Sequence, residues 1–131
     1  MADILKTYTK ETLKHFKNPH NMGEIKNPEG TGRVGNPVCG DVMELQLKIE
    51  KRNNKNTITD AKFQTFGCGA AIATSSMLTD MIIGKTVQEA EKVTNKMIID
   101  ALGGLPQTKK HCSVLAEEAL QKALKSFHAT K

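Results

Sequence analysis

The sequence predicts an α+β fold in which helices pack on a small antiparallel sheet. Residues 42–50 alternate between apolar and polar side chains, which is typical of a strand with one buried face. After residue 66 the apolar spacing becomes helical, and helical segments fill most of the remaining chain. The length of 131 residues fits a single domain over 1–131, since domains usually contain roughly 100–150 residues.

Three consecutive parts make up this predicted domain: an N-terminal helix and loop over about 1–37, a β-hairpin over about 38–67 and a helical part over about 69–128. The first helix is predicted over 3–17, with Asp3 as N-cap. One side of it would carry Ile4, Leu5, Tyr8, Leu13 and Phe16. Asn18-Pro19 ends the helix because proline disfavours helical geometry in the residue before it.

The hairpin is the clearest prediction. Its first strand would bury Met43, Leu45, Leu47 and Ile49. An asparagine-rich polar turn covers 51–56, and the returning strand is predicted over 58–66. The apolar residues of that second strand are Ile58, Ala61, Phe63 and Phe66. Before the hairpin, residues 18–37 are rich in glycine and proline, which indicates irregular chain with a short strand around 32–34.

Helices follow the hairpin. The first is predicted over 70–83 and ends at Gly84, with Ile72, Ala73, Met77, Leu78 and Met81 facing inward. Thr86 and Glu89 have the spacing of a capping box, which begins a short helix. Another helix covers 94–102 and ends at two glycines. The last runs over 110–127 and would bury Val114, Leu115, Ala119, Leu120, Ala123, Leu124 and Phe127.

Composition excludes several classes of protein. The net charge of +5 comes almost entirely from lysine, and only Arg33 and Arg52 are arginines. Aromatic residues make up 4% and tryptophan is absent, so the base-reading and base-stacking residues of nucleic-acid binders are scarce. The apolar runs fall short of the ~20 residues of a membrane span. The first residues contain no unbroken apolar segment of a secretory signal. We therefore expect a cytoplasmic protein that binds neither nucleic acid nor membranes.

Three cysteines carry the chemistry: Cys39, Cys68 and Cys112. They are odd in number and far apart, which favours reduced thiols over a disulfide framework. Cys39 and Cys68 lie at the outer ends of the predicted hairpin, so antiparallel pairing brings them together. Cys112 joins them if the last helix docks beside that end. Thiols from three remote segments are typical of a metal site without local CxxC knuckles.

Two further residues are candidate ligands. Asp41 lies two residues after Cys39, on the same side of an extended chain. His111 precedes Cys112 at the start of the last helix. Three thiolates with Asp41 or His111 fit tetrahedral zinc or a [2Fe–2S] cluster, and the sequence does not choose between these two fourth ligands. A carboxylate or imidazole in place of a fourth thiolate loosens an iron–sulfur cluster, because harder ligands suit it less.

A cysteine hydrolase is the alternative from another class. It needs a base within ~3 Å of the thiol. His111 and Cys112 are adjacent, so a helix turns them about 100° apart, which is poor geometry for a dyad. His15, His20 and His128 lie in terminal segments without a nucleophile motif. The sequence therefore disfavours a hydrolase.

At these motifs the chain resembles the IscU iron–sulfur cluster assembly scaffolds, the family that also provides the N-terminal domain of NifU. The motifs are Gly35-Asn-Pro-Val-Cys-Gly-Asp41, Phe66-Gly-Cys-Gly-Ala70 and His111-Cys-Ser113, with Asn18-Pro-His-Asn-Met-Gly23 upstream. The resemblance runs from about Tyr8 to Ala123. It implies an IscU/SufE-like α+β fold with a three-stranded antiparallel sheet. The implied function is assembly of a [2Fe–2S] cluster and its transfer to apo-proteins by a scaffold that is not itself an enzyme.

Residue roles follow from the same resemblance. It implies that Cys39, Cys68 and Cys112 are cluster ligands and that Cys112 is the candidate sulfur acceptor. Asp41 matches the acid that promotes cluster release or acts as a ligand, and His111 matches the alternative fourth ligand. Zn²⁺ can occupy the same residues, and a zinc-binding sulfur-acceptor or adaptor protein of this fold is the alternative function.

The implied partners are a cysteine desulfurase of the IscS/NifS type and apo iron–sulfur acceptors, with a ferredoxin or a frataxin-like protein as further candidates. A homodimer stays open. Leu105-Pro-Gln-Thr-Lys109 occupies the place of a Leu-Pro-Pro-Val-Lys chaperone motif and departs from it at Gln107 and Thr108. Chaperone recognition is therefore not predicted. The spacing between Cys68 and Cys112 leaves no room for a SufU-type insertion, which favours the IscU type.

Overall fold

The computed structural model describes residues 9–36, 41–66, 69–105 and 110–129, with the backbone alone at Asn36, Asp41 and His111. In chain order the elements are α1 (Lys10–Lys17), β1 (Gly30–Asn36), β2 (Asp41–Arg52), β3 (Lys55–Phe66), α2 (Gly69–Ile82), α3 (Val87–Ala90), α4 (Asn95–Ala101) and α5 (His111–Ala129). The predicted α+β class is confirmed. No helix in the described ranges combines the length and apolar character of a membrane span.

An antiparallel sheet of order β1–β2–β3 forms the centre of the fold. The hairpin turn is tighter than the polar segment 51–56 suggested, because Arg52 pairs with Lys55 and only two residues link the strands. Those residues, Asn53 and Asn54, have φ values of 52° and 64°. Positive φ at both central positions defines the turn type that matches the twist of paired strands, and asparagine tolerates it. A bulge interrupts the register between Lys48 and Ile49.

One face of the sheet is buried as the alternation predicted. Leu45 and Leu47 in β2 and Phe63 in β3 have no exposed surface. Phe66 is different, because its side chain is 80% exposed. Successive side chains alternate between the faces of a strand, so residues 63 and 66 lie on opposite faces.

Strand β1 is longer than the short strand expected around 32–34. The glycines of this segment indicated irregular chain, but in the structure they allow α5 to pack closely on the strand. A Cβ built on Gly32 would lie 2.1 Å from the carbonyl oxygen of Ala119, and one on Gly30 would lie 2.5 Å from that of Ala123. The strand and α5 therefore meet main chain to main chain, which any side chain at residue 32 would prevent.

The first helix differs from its prediction. Asp3 lies outside the described residues, and α1 begins at Lys10 with Thr9 as its N-cap. Thr9 is extended, with φ −71° and ψ 165°, and its hydroxyl accepts the amide hydrogen of Thr12. The buried side chains are Thr12 and His15, whereas Phe16 is 45% exposed. Helix α1 therefore packs on α2 through the polar side chain of His15 as well as through the partly exposed ring of Phe16.

Helix α2 is buried over a wider surface than predicted. Ala73 and Leu78 are fully buried, and Ile72, Met77 and Met81 are partly buried and pack against the core, as predicted. The helix is covered on several sides, and its buried residues include four hydroxyl side chains: Thr74, Ser75, Ser76 and Thr79. Three of these hydroxyls donate to carbonyl oxygens of α2 itself: Thr74, Ser75 and Thr79. Such bonds make burial of a small hydroxyl side chain inexpensive.

The predicted helix boundaries after α2 are confirmed. The chain leaves α2 through Gly84, which has φ 92°. Both bonds of the Thr86–Glu89 capping box are present at α3, and Thr94 caps α4. In α5 the predicted inward side from residue 119 to residue 127 is buried, but Val114 is 38% exposed and was assigned wrongly.

Candidate metal centre

The ends of the strands that border Cys39 and Cys68 are neighbours in the sheet. Val42, near the start of β2, pairs with Phe66 at the end of β3. Asn36 at the end of β1 pairs with Asp41. Cys39 and Cys68 themselves lie outside the described residues. The register supports the premise of the sequence argument, which is that antiparallel pairing joins the two outer ends of the hairpin.

Helix α2 begins at Gly69, immediately after Cys68 in the sequence. Helix α1 packs at this point, because a Cβ built on Gly69 would lie 3.0–3.3 Å from three ring carbons of Phe16. The glycine allows the ring to rest on the first turn of α2. The strand-to-helix junction predicted around residue 68 is therefore flanked by β3 on one side and by α1 with α2 on the other.

Cys112 is the cysteine that the structure describes, and it is the second residue of α5. Its side chain is 1% exposed and belongs to the hydrophobic core. The hydroxyl oxygen of Thr74 in α2, which donates to Ala71, also lies 3.5 Å from the carbonyl oxygen of Cys112. The docking of α5 on α2 buries this thiol, so solvent contact at Cys112 requires the first turn of α5 to move.

For the other two candidate ligands, Asp41 and His111, the structure describes the backbone position. Asp41 is the first residue of β2, and His111 is the first residue of α5. Both therefore lie at the beginning of an element, as predicted. The chaperone-motif residues Gln107 and Thr108 lie outside the described residues, whereas Leu105, which precedes them, is 9% exposed.

An open depression lies on the sheet face opposite the core, next to the paired residues Val42 and Phe66. Its volume is about 450 Å³, and its lining includes Met22, Arg33 and Glu44 together with those two residues. Phe66 and Met22 are the large exposed apolar side chains there, at 80% and 46% exposure. An apolar surface of this kind, with charges of both signs, can contact a protein partner.

A second group of metal-binding side chains was not predicted. His15, His20 and Asp80 each place one ligand atom within 4.8 Å of the others. The sequence treated both histidines as isolated terminal residues. Some 60 residues separate them from Asp80, so no spacing rule relates them. The one sequence signal for this group was the motif at residues 18–23, which follows the end of α1 and leads the chain back along α2.

Burial affects the protonation of this group. The side chain of His15 is 4% exposed, and its burial lowers the pKa of the imidazole below the ordinary 6.5. The nearby His20 lowers it further, while Asp80 and Glu11 act in the opposite direction. His15 is therefore neutral at pH 7.

Comparison with known proteins identifies the family. The NifU-like N-terminal domain family matches residues 7–131. The chain is 52% identical over 120 residues to the iron–sulfur cluster assembly scaffold protein IscU 1 of Archaeoglobus fulgidus, covering 92% of this chain and 76% of that protein. It is 46% identical over 127 residues to the scaffold protein IscU of Azotobacter vinelandii, covering 95% and 96%.

A solved structure supports the fold. The N-terminal NifU-like protein from Brucella abortus superposes with a TM-score of 0.70 and 17% identity, covering 98% of this chain and 99% of that one. At this identity the match concerns the fold alone. With the extent of the family match and the identity of the curated relatives, the conclusion is direct: the chain belongs to the NifU-like N-terminal domain family.

Proposed function

We propose that this chain is a scaffold on which an iron–sulfur cluster is assembled and from which it passes to acceptor proteins. The observation that carries the proposal is the 52% identity, over 92% of the chain, to a relative named as such a scaffold. The pairing of Val42 with Phe66 supports it, because it joins the two strand ends that border Cys39 and Cys68.

The proposed cargo is a [2Fe–2S] cluster held by Cys39, Cys68 and Cys112. Asp41 or His111 would supply the fourth ligand. Thiolates suit iron and sulfide, and one harder oxygen or nitrogen ligand makes that corner exchangeable. A site built to release its cargo benefits from such a ligand. The protein is then a carrier and not an enzyme, since each chain holds its product until an acceptor removes it.

Sulfur would arrive as the persulfide of a cysteine desulfurase. The thiolate of Cys112 attacks the outer sulfur, forms a persulfide on Cys112 and releases the thiolate of the donor cysteine. Reduction of that persulfide to sulfide takes two electrons and a proton, for which a ferredoxin-like reductant is the proposed partner. Because Cys112 is 1% exposed, this step requires the start of α5 to open first. Reduced thiols fit the cytoplasm, which is the proposed compartment.

Anaerobic reconstitution tests the proposal. The chain is incubated with a cysteine desulfurase, L-cysteine, Fe²⁺ and a reductant, and then examined by visible absorption and Mössbauer spectroscopy. We expect the spectrum of a [2Fe–2S] cluster in the wild type and its loss in Cys39→Ser and Cys68→Ser. Cluster yield should not exceed the amount of protein unless an apo-acceptor is added. A colourless protein that retains zinc and takes up no iron would support the zinc-adaptor alternative instead.

The role of Asp41 has its own test. If Asp41 promotes exchange, Asp41→Ala should lengthen the lifetime of the reconstituted cluster, measured by the decay of visible absorption. Asp100→Ala is the matched control, because Asp100 is exposed on α4. Equal lifetimes in both variants would assign the exchangeable corner to His111, which His111→Ala then examines.

A further inference from the structure

We propose that His15, His20 and Asp80 form a second metal site, separate from the cysteines, that binds a divalent first-row transition-metal ion. Among the described residues these three side chains are brought together, with one ligand atom from each within 4.8 Å of the others. They come from α1, from the segment after α1 and from α2. The proposal is independent of the scaffold function, since it uses none of the cysteine motifs.

The donor set determines the class of ion. Two imidazoles and one carboxylate suit zinc, iron, nickel and copper, whereas calcium and magnesium prefer oxygen donors alone. Two histidines with one carboxylate also leave coordination positions open for water. His20 and Asp80 lie near solvent, with side chains 46% and 35% exposed. An ion can therefore enter without unfolding.

Each ligand is held by a neighbour that is not a ligand. Nδ1 of His15 lies 2.7 Å from the hydroxyl oxygen of Ser76. That same oxygen accepts the backbone N–H of His20 at 2.8 Å. The amide of Asn21 donates to Oδ1 of Asp80 at 3.2 Å, which leaves Oδ2 facing His20. Metal-binding histidines and carboxylates typically have such supporting bonds, which fix their orientation.

One ring nitrogen of His15 is engaged outside the proposed site, because Nδ1 lies 2.7 Å from the hydroxyl oxygen of Ser76. A proton on Nδ1 that points to Ser76 leaves the lone pair of Nε2 for a metal ion. The rings of His15 and His20 are close, with centroids 4.8 Å apart.

Binding requires one contact to open. Nδ1 of His20 and Oδ2 of Asp80 are 2.6 Å apart, as in a hydrogen bond. Ligand atoms around a tetrahedral ion with bonds of about 2.0–2.1 Å lie roughly 3.3 Å apart. The ion therefore replaces the bridging proton, and the two side chains separate by less than an ångström. Both are partly exposed, so they can make that adjustment while His15 stays in place.

The chain contains a matched control for this site. Nε2 of His128 lies 2.9 Å from Oε1 of Glu91, and both side chains are about half exposed. This pair resembles His20 and Asp80, but it is not part of a group of three ligands among the described residues. If three convergent ligands matter, the two pairs will respond differently to metal.

The experiment is a titration of the full chain in a Cys39→Ala/Cys68→Ala/Cys112→Ala background, which removes all three thiols. Zn²⁺ is added while the histidine ring nitrogens are followed by NMR, and calorimetry gives the affinity. We expect saturable shifts at His15 and His20 with none at His128. His20→Ala and Asp80→Asn should each weaken binding at least tenfold, whereas His128→Ala should leave it unchanged. Ser76→Ala should weaken it roughly 10–100-fold, as expected for a supporting residue.

Parallel titrations separate the ions. Fe²⁺ under anaerobic conditions should bind the same residues more weakly than Zn²⁺, and Mg²⁺ should not bind. The proposal is overturned if His128 shifts as strongly as His15 and His20, or if His20→Ala retains the affinity of the parent. His20 and Asp80 are partly exposed, so their variants should fold, and far-ultraviolet circular dichroism verifies this before each titration.

Discussion

The two ends of the sheet are built differently. At the hairpin end, Ile58 accepts the N–H of Gly84 at 2.7 Å and donates its own N–H to Lys85 at 2.8 Å. Asn53 and Asn54 close the turn, and the capping box of Thr86 follows directly. At the motif end, β2, β3, α2 and α5 begin or end close to the cysteine motifs. Turn residues, a helix cap and backbone hydrogen bonds between β3 and the loop after α2 determine the hairpin end, whereas docking of remote helices determines the motif end.

This difference teaches where each end is vulnerable. A change at the hairpin end removes a hydrogen bond or a turn preference, and its effect stays local. A change in helix docking moves α5 or α1 relative to the sheet and so moves Cys112 or the start of α2. Substitutions at the two ends therefore test this difference separately.

The largest effect is expected for Gly32→Val. The added side chain would collide with main-chain atoms of α5, because even a Cβ lies 2.1 Å from the carbonyl oxygen of Ala119. Overpacking of this kind should lower the free energy of unfolding by roughly 3 kcal/mol. Urea denaturation measures it. Arg33→Ala is the control, since that exposed side chain is next to the same strand position and should change stability by less than about 0.5 kcal/mol.

Thr86→Ala should have a smaller effect confined to the hairpin end. It removes the hydroxyl that accepts the N–H of Glu89 at 3.1 Å. Loss of an N-cap should cost about 1 kcal/mol of stability. Gln88→Ala, exposed in the same helix, should cost less. Cluster reconstitution should be unchanged in both variants, and a loss in Thr86→Ala alone would show that the two ends are coupled.

Much of the hairpin end could be predicted from the sequence. Alternation in β2, the asparagines of the turn and the Thr86–Glu89 spacing are local signals, and local hydrogen bonds decide the outcome there. The motif end was predictable only in part. Antiparallel pairing relates Cys39 to Cys68, but the burial of Cys112 depends on how α5 docks on α2.

Two failures share a physical cause. Gly30 was assigned to irregular chain because a single sequence does not show that a helix will cover it. His15 and Asp80 meet only after α1 has docked. In each case tertiary packing overrode a local preference.

A pH prediction separates the two ends further. The folded pKa of His15 lies below its unfolded value near 6.5, mainly because the side chain is buried, so the unfolded chain binds more protons below that pH. The contribution of neutral His15 to the free energy of unfolding is therefore complete above about pH 6.5, and it is lost as the pH falls below that value. The charged groups that face the ring are His20, Asp80, Glu11 and Lys14.

Hydrogen exchange with a chelator present measures this effect. Amides of α1 should lose protection below about pH 6.5 before those of the hairpin turn do. His15→Gln, which retains a hydrogen-bonding side chain, should remove the dependence. Equal loss of protection at both ends would contradict the assignment to His15.

The smallest effect concerns Glu89. The backbone N–H and the hydroxyl of Thr86 donate to its carboxylate at 3.0 and 3.2 Å, and these bonds hold the pKa of Glu89 below the ordinary 4.5. Its contribution is present above about pH 4.5 and is lost as the pH falls below that value. Glu89→Gln should flatten the acid limb of a thermal denaturation series and slightly lower the melting temperature at pH 7, because the uncharged amide accepts weaker hydrogen bonds from Thr86. An acid limb as steep as that of the parent would contradict this role of Glu89.

The glycine contact between β1 and α5 has a consequence for redesign of this protein. Since atoms common to every amino acid set the separation of strand and helix, replacing the outward side chains of α5 leaves its distance from the sheet intact. A chromophore or affinity tag grafted onto that outer surface would therefore report on partners without shifting the helix start that carries Cys112.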